Sequence, residues 1–159
     1  MLAIQIKDVK NFMKLLLISD TFDEFEMVHA TISTSNIFDI DGKVDKTFFG
    51  EEYEVSDYYE HEYTPWKLIK EMCFGIIKGK HTPLAFKFIL HAGREVTSSI
   101  LAEIPETVAS NIKSLILTIR YDEHGLMLTS GTASASFIAD KSVDEAWDKW
   151  VAVFTQDMQ

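Results

Sequence analysis

The sequence predicts an α+β fold in which antiparallel sheets and four main helices form a single domain over residues 1–159. Short alternations of apolar and polar residues, typical of strands, occur in both halves. Apolar stripes at helical spacing lie between them, and one order of elements occurs twice. The length is close to the ~100 to 150 residues of a common domain. A hydrophobic content of 47% and an aromatic content of 12% indicate a globular chain.

The first predicted unit covers residues 2–49 and begins with a strand followed by a helix. Apolar residues alternate over residues 2–6, which predicts a short strand with one buried face. Residues 8–19 open with an aspartate suited to N-capping and place apolar residues at the spacing of an amphipathic helix. Residues 26–49 then predict two or three antiparallel strands, with Ser35-Asn36 and Asp41-Gly42 as candidate turns.

An acidic, tyrosine-rich stretch at residues 50–63, "GEEYEVSDYYEHEY", predicts a loop or an edge strand after this unit. Thr64 is suited to N-capping and Pro65 to the first helical position, so a helix is expected from there to about Lys78. Cys73 lies on the apolar face of that helix. We therefore expect it to act as a small buried hydrophobe rather than as a nucleophile.

The second predicted unit covers residues 84–138 and repeats the order of the first. Alternating apolar residues over 84–90 predict a strand, and residues 94–104 predict a helix that Pro105 ends. Two or three strands follow. The openings "LAIQI" and "LAFKF" are also alike, so we infer an internal duplication of a βαβββ unit. A last helix with a tryptophan-rich apolar stripe is expected from Ser142.

Acidic residues are concentrated in one part of the chain, whose formal net charge is -10. Between Asp20 and Glu62 there are thirteen acids against Lys43 and Lys46, a balance of -11, so the remaining residues together carry +1. Nucleic-acid binders usually carry a basic excess, because neutralising phosphates supplies most of their non-specific affinity. The overall charge therefore disfavours nucleic acid, although a local basic patch could still bind it.

The chain is expected to be a cytoplasmic protein without a membrane segment. Its first residues lack the basic region and apolar core of a signal peptide, and no apolar run approaches the ~18 residues of a membrane span. Cys73 is the only cysteine, so an intramolecular disulfide or a cysteine-based zinc site is excluded.

Motifs that would indicate catalysis, cofactor binding or metal binding all fail on spacing. "GIIKGKHT" lacks the glycine spacing and the hydroxyl of a phosphate-binding loop, and "DIDGKVD" lacks the ligand spacing of a calcium loop. "SGTASAS" contains no G-x-S-x-G turn, and the histidines show no paired metal-ligand spacing. The protein is therefore predicted to be non-enzymatic, with no cofactor and no metal.

Lysines form two rows at helical spacing, and we consider them as nucleic-acid-binding candidates. The first row is on the first predicted helix and the second on the helix that follows Pro65. The candidates are Lys7, Lys10, Lys14, Lys67, Lys70, Lys78 and Lys80. The simpler interpretation is that both rows are solvated helix faces. The alternative requires the two rows to point into one shared surface.

Most of the chain resembles a family of uncharacterised bacterial proteins. The stretches that carry this resemblance are "MLAIQIKDVKNFM", "FDIDGKV", "KGKHTPLAFKF", "IRYDEHGLMLTSGTA" and "DKSVDEAWDKWV". The duplicated βαβββ order also resembles, at the level of fold, a domain of the DNA sliding clamps. That resemblance implies basic helices facing a duplex and sheets on the outer surface. The second repeat helix offers only Arg94 for such a basic row.

Two functions follow as hypotheses. The first is an interaction protein with a clamp-like fold that binds a partner protein, itself or nucleic acid, in association with replication proteins if the clamp resemblance holds. The second is a small-molecule-binding protein or enzyme with a pocket between the repeats. Such a pocket would lie near "SGTASAS" and near the tyrosines of the acidic stretch, which are Tyr53, Tyr58, Tyr59 and Tyr63.

Overall fold

A single seven-stranded antiparallel sheet forms the centre of the computed structural model, which describes residues 1–159. The strands are β1 (Ala3–Ile6), β2 (Phe25–Ser33), β3 (Ile37–Asp41), β4 (Thr64–Pro65), β5 (Ala85–Ala92), β6 (Ile112–Asp122) and β7 (Gly125–Ser134). The helices are α1 (Val9–Leu17), α2 (Trp66–Ile77), α3 (Arg94–Leu101), α4 (Glu106–Ala109) and α5 (Ser142–Phe154). The predicted α+β class and the four longer helices are confirmed.

The sheet has the strand order β1-β7-β6-β5-β2-β3, with the two-residue β4 paired to β2. Strand, helix and hairpin follow one another twice, as β1-α1-β2-β3 and as β5-α3-β6-β7. The two units share one sheet, because β1 pairs with β7 of the other unit while β5 lies between β2 and β6. The expectation of more than one sheet was wrong. The strands of both units continue one hydrogen-bonded ladder, so no second sheet is needed to pair them.

Each helix of the repeat is followed by two strands, not by the three of the predicted βαβββ unit. In the second unit β6 and β7 are 11 and 10 residues long, so the residues that would form a third strand extend these two instead. In the first unit residues after β3 form short 3-10 turns. The observed unit is therefore strand, helix and hairpin.

Alternate strand residues face a single core on which all the longer helices pack. Trp66 of α2 and Trp147 of α5 are fully buried in it. The indole N–H of Trp66 donates to the carbonyl oxygen of Leu16 at 2.8 Å, and that of Trp147 donates to Ile116 at 2.9 Å. Each tryptophan thus fills space in the core, and its indole N–H has a backbone acceptor. Truncating such a side chain to alanine typically costs about 3 to 5 kcal/mol.

Helix α2 begins one residue later than predicted, at Trp66. Thr64 and Pro65 form β4, in which the N–H of Thr64 donates to the carbonyl oxygen of Gly42 at 2.8 Å. Pro65 has an extended backbone with ψ of 130° and lies at the N-cap position. The pairing with β2 therefore takes precedence over helix initiation at these two residues.

Residues 43–63 form a loop between β3 and β4 that we call the acidic strap. Its two ends meet, because the N–H of Val44 donates to the carbonyl oxygen of Glu62 at 2.9 Å and Lys43 bridges to Tyr63. Two 3-10 segments, Lys46–Phe48 and Gly50–Val55, lie between these ends. Of the two predicted possibilities for this stretch, the loop is the observed one.

Candidate functional site: a lysine groove between two helices

An open apolar groove of about 480 Å³ lies between α1 and α2, and we call it the lysine groove. Its lining residues are Asp8, Lys10, Asn11, Met13, Lys14, Leu17, Ile18, Phe74 and Ile77. Most of its floor comes from the apolar members of this set. The groove therefore combines an apolar floor with a rim that carries two of the predicted lysines.

The amphipathic pattern of α1 explains why apolar side chains remain in the groove. Phe12, Leu16 and Leu17 are buried in the core. The apolar stripe is wider than the contact with the core, so Met13 lies at its edge and Ile18 is 57% exposed just beyond the helix. Met13, Phe74 and Ile77 are half-buried and Ile18 is exposed, so the fold leaves this apolar surface only partly covered.

The lysines of the groove are without acidic partners in the chain. Lys10 and Lys14 are exposed and occur in none of the ion pairs. Lys78 follows α2, and its Nζ lies 5.7 Å from the ring centroid of Phe74, which lines the groove. Asp8 caps α1 by accepting from the N–H of Asn11 at 3.1 Å. The groove is thus bordered by three cations and one acid.

The remaining predicted lysines do not join this surface. Lys7 and Lys80 are exposed outside the groove, and Lys67 lines a different cleft. Lys70 is only 15% exposed in its side chain, and its Nζ contacts Asp23 at 2.6 Å and the carbonyl oxygen of Ser19 at 2.8 Å. Lys70 thus binds residues that follow the C-terminal end of α1. Of the second row only Lys78 lies beside the groove, so the two rows as a whole do not point into one shared surface.

A second depression of about 320 Å³ lies where the acidic strap meets β2 and the start of α3, and we call it the charged cleft. His61 Nδ1 lies 2.7 Å from Glu26 Oε1. Arg94 lies 3.6 Å from Glu60, whose backbone is left-handed with φ of 64°. Charges of both signs thus pair with each other across the cleft.

Burial lowers the pKa of His91, which stands beside this cleft, while Glu26 and Glu62 raise it in part. The imidazole of His91 is therefore neutral at neutral pH, with its ring centroid 5.2 Å from that of Tyr63. The sequence does not predict this cluster. Glu26 and His61 are 35 residues apart, and no local pattern connects them.

Gly93 allows α3 to start close against β2. A Cβ atom at this position would lie 2.1 Å from the carbonyl oxygen of Glu24, which no real side chain tolerates. The glycine therefore sets the width of the charged cleft, because only a bare backbone lets the two segments approach this closely.

The small residues of "SGTASAS" lie at the other end of the sheet, against α5. Gly131, Thr132 and Ser134 line an open cavity of about 550 Å³. Thr132 donates a hydrogen bond of 2.6 Å to Asp144 of α5, and Ser130 donates to Asp148. None of the predicted tyrosines lines this cavity, and Tyr59 lines the charged cleft instead. The predicted pocket shared by these two features is not formed, because β7 and the acidic strap are at distant positions in the strand order.

Cys73 is buried in the core, and burial raises the pKa of its thiol to about 11. The thiol is therefore protonated and inert at neutral pH. The structure places no three His, Cys, Asp or Glu side chains together as a metal site. No helix has the length and apolarity needed to cross a membrane.

Comparison with known proteins places the chain in a family. The profile of the Family of unknown function (DUF5721) matches residues 15–159. The chain belongs to this family. The match covers the second unit and the first unit from the end of α1 onward, while β1 and the groove residues Lys10 and Lys14 precede it. The resemblance expected from the sequence is confirmed at the level of the family. No curated protein and no solved structure matches the chain.

Proposed function

We propose that this protein is a non-enzymatic interaction protein whose lysine groove binds an acidic, amphipathic segment of a protein. The observation that carries the proposal is the groove itself, in which unpaired Lys10 and Lys14 border partly exposed apolar side chains. A segment with apolar residues beside carboxylates would cover the floor and pair with the rim. This is the pattern of helix-in-groove and acidic-motif recognition.

The charge of the whole chain favours a protein segment over nucleic acid. Three lysines border the groove in a protein whose net charge is -10, and long-range repulsion opposes duplex DNA, with two phosphates per base pair, more than a short segment with a few carboxylates. Lys70, which an extended basic surface would need, is engaged with Asp23. Arg94, the one basic residue at the start of α3, lies against Glu60.

We also propose that the fold is clamp-like. This part of the proposal concerns the fold and not the binding function. The order of strand, helix and hairpin occurs twice, which supports an origin by duplication. The helices pack on one face of the sheet, while residues such as Thr118 and Met127 stay half-exposed on the other. We further propose a cytoplasmic site of action, which the single reduced cysteine supports.

Selection from a displayed random peptide library tests this function. The wild-type protein should enrich peptides that combine Asp or Glu with Leu, Ile or Phe. The selected peptides should lose at least about tenfold in affinity for the variant Lys10→Glu/Lys14→Glu, since each contact pair across such a rim is worth about 1 kcal/mol. Lys113→Glu reverses an exposed lysine on β6 and is the matched control.

Enrichment of basic peptides, or equal binding to the groove variant, would overturn the proposal. Binding to duplex DNA at low salt is measured to compare nucleic acid with the protein segment as the partner of the groove. Binding to DNA that weakens steeply with salt and disappears in the groove variant would replace the protein segment by nucleic acid.

A further inference from the structure

The acidic strap presents apolar side chains that the rest of the chain leaves uncovered. Phe48 is 85% exposed and Val55 is 86% exposed. No residue of 45–62 is buried, so the core does not hold this segment. Acidic residues surround these two side chains in sequence, and they are Glu51, Glu52, Glu54, Asp57 and Glu60. The strap therefore has the composition that the lysine groove is proposed to bind.

The strap is ordered by its own contacts. Asp45 accepts from the N–H of Thr47 at 3.0 Å, and the N–H of Glu60 donates to the hydroxyl oxygen of Tyr53 at 3.0 Å. Aromatic contacts continue along it, with the ring centroids of Phe49 and Tyr58 5.0 Å apart. Such preorganisation lowers the entropy lost on binding, so a segment of this kind can bind another surface without folding first.

The strap does not occupy the groove of its own chain. It enters α2 through β4, at the N-terminal end of the helix, whereas Phe74 and Ile77 lie about 12 to 16 Å further along the axis. His61 and Glu60 also hold it at the charged cleft through Glu26 and Arg94. A second copy of the chain can supply the strap without breaking these contacts.

We infer that the acidic strap of one copy binds in the lysine groove of another, so that the chain associates with itself. The inference rests on the proposed function of the groove and names its occupant. Phe48 or Val55 would cover the floor, while Glu51 and Glu52 would lie near Lys10 and Lys14 of the second copy. Each copy carries both surfaces.

The distribution of charge supports this arrangement. Residues 20–62 carry a balance of -11 and the other residues together +1, so the strap belongs to the acidic part of the chain and the lysines of the groove lie outside it. At physiological ionic strength the net repulsion between two copies is screened beyond about 8 Å, while direct contacts between opposite charges persist. A contact between two different surfaces can close into a ring or a reciprocal pair, or continue as an open chain.

Sedimentation velocity over a range of protein concentrations tests the inference with two charge-reversed variants. The groove variant is Lys10→Glu/Lys14→Glu, and the strap variant is Glu51→Lys/Glu52→Lys. Wild type should associate as concentration rises, and each variant alone should stay monomeric. An equimolar mixture of the two should associate again, because the wild-type strap meets the wild-type groove and the reversed strap meets the reversed groove. All four substitutions in one chain should restore association.

Matched controls reverse exposed charges elsewhere, with Lys113→Glu on β6 and Glu103→Lys after α3, and both should associate like wild type. The altered residues are exposed, so thermal unfolding should confirm that every variant is folded. Wild type that stays monomeric, while acidic peptides still bind the groove, would overturn self-association and leave the proposed function intact. Association that persists in both variants would also overturn it, and would point instead to the exposed edge strand β3, where Ile37 is 75% exposed.

Discussion

The lysine groove and the charged cleft are both built on α2, yet their charges serve different purposes. At the N-terminal end of α2, Lys67 lines a cleft in which acids and bases lie opposite one another, as His61 does with Glu26. At the C-terminal end, Phe74 lines a groove whose lysines have no acidic partner. Charges paired within the chain stabilise a conformation, while unpaired charges beside apolar surface are available to a partner. Altering each region should therefore have different consequences.

Among changes to these two regions, the largest effect on stability is expected at Gly93, where α3 starts beside the charged cleft. Gly93→Ala should lower the free energy of unfolding by about 3 kcal/mol, because the new Cβ must push α3 away from the carbonyl oxygen of Glu24. Denaturant unfolding followed by circular dichroism measures the loss. Peptide binding at the lysine groove should survive in the fraction that remains folded.

Gly131→Ala is the matched control for this change. No atom lies within 4 Å of a Cβ built at Gly131, so its effect should stay within about 0.5 kcal/mol. Equal losses from the two alanine substitutions would show that close packing at Gly93 does not set the geometry of the charged cleft.

A smaller loss is expected when Lys70 is changed. Lys70→Met should cost about 1 to 2 kcal/mol, because Asp23 and the carbonyl oxygen of Ser19 lose their donor in a partly buried site. Lys14→Met removes a lysine with no partner and should change stability by less than about 0.5 kcal/mol. Chemical denaturation compares the two. Similar losses of stability in the two variants would contradict the distinction between Lys70, which binds Asp23, and Lys14, which has no partner.

The smallest effect is expected from His91, and it appears only as the pH falls. Burial lowers the pKa of His91 below its ordinary value of 6.5, so the unfolded chain binds a proton that the folded chain does not. The stability of the wild type should therefore decrease as the pH falls below 6.5 towards the lower pKa of the folded state. His91→Gln should flatten this decrease.

The control for His91 is His124→Gln, because the side chain of His124 is 81% exposed. It should leave the pH dependence of wild type unchanged. Thermal unfolding measured over this pH range makes the comparison, and a His124→Gln curve as flat as that of His91→Gln would rule out burial of His91 as the cause.

Prediction from sequence succeeded where a local pattern was sufficient. The alternating residues of β1 and β5 and the apolar stripe of α1 identified these elements, because the faces of strands and helices are set by periods of 2 and 3.6 residues. The exposed positions of Lys10 and Lys14 followed from the same pattern. Local pattern could not show that Lys70 forms an ion pair, because Asp23 comes close to it only when the end of α1 packs beside α2.

The sequence by itself determined the α+β class, the repeated order of strand, helix and strands, the tryptophan-rich apolar stripe of the last helix and the concentration of acid between Asp20 and Glu62. Only the tertiary structure decided that both units share one sheet and that His61 pairs with Glu26. It also decided that Lys10 and Lys14 border an apolar groove. The physical reason is that periodicity specifies which face of an element is apolar, whereas the neighbour of that face depends on long-range packing.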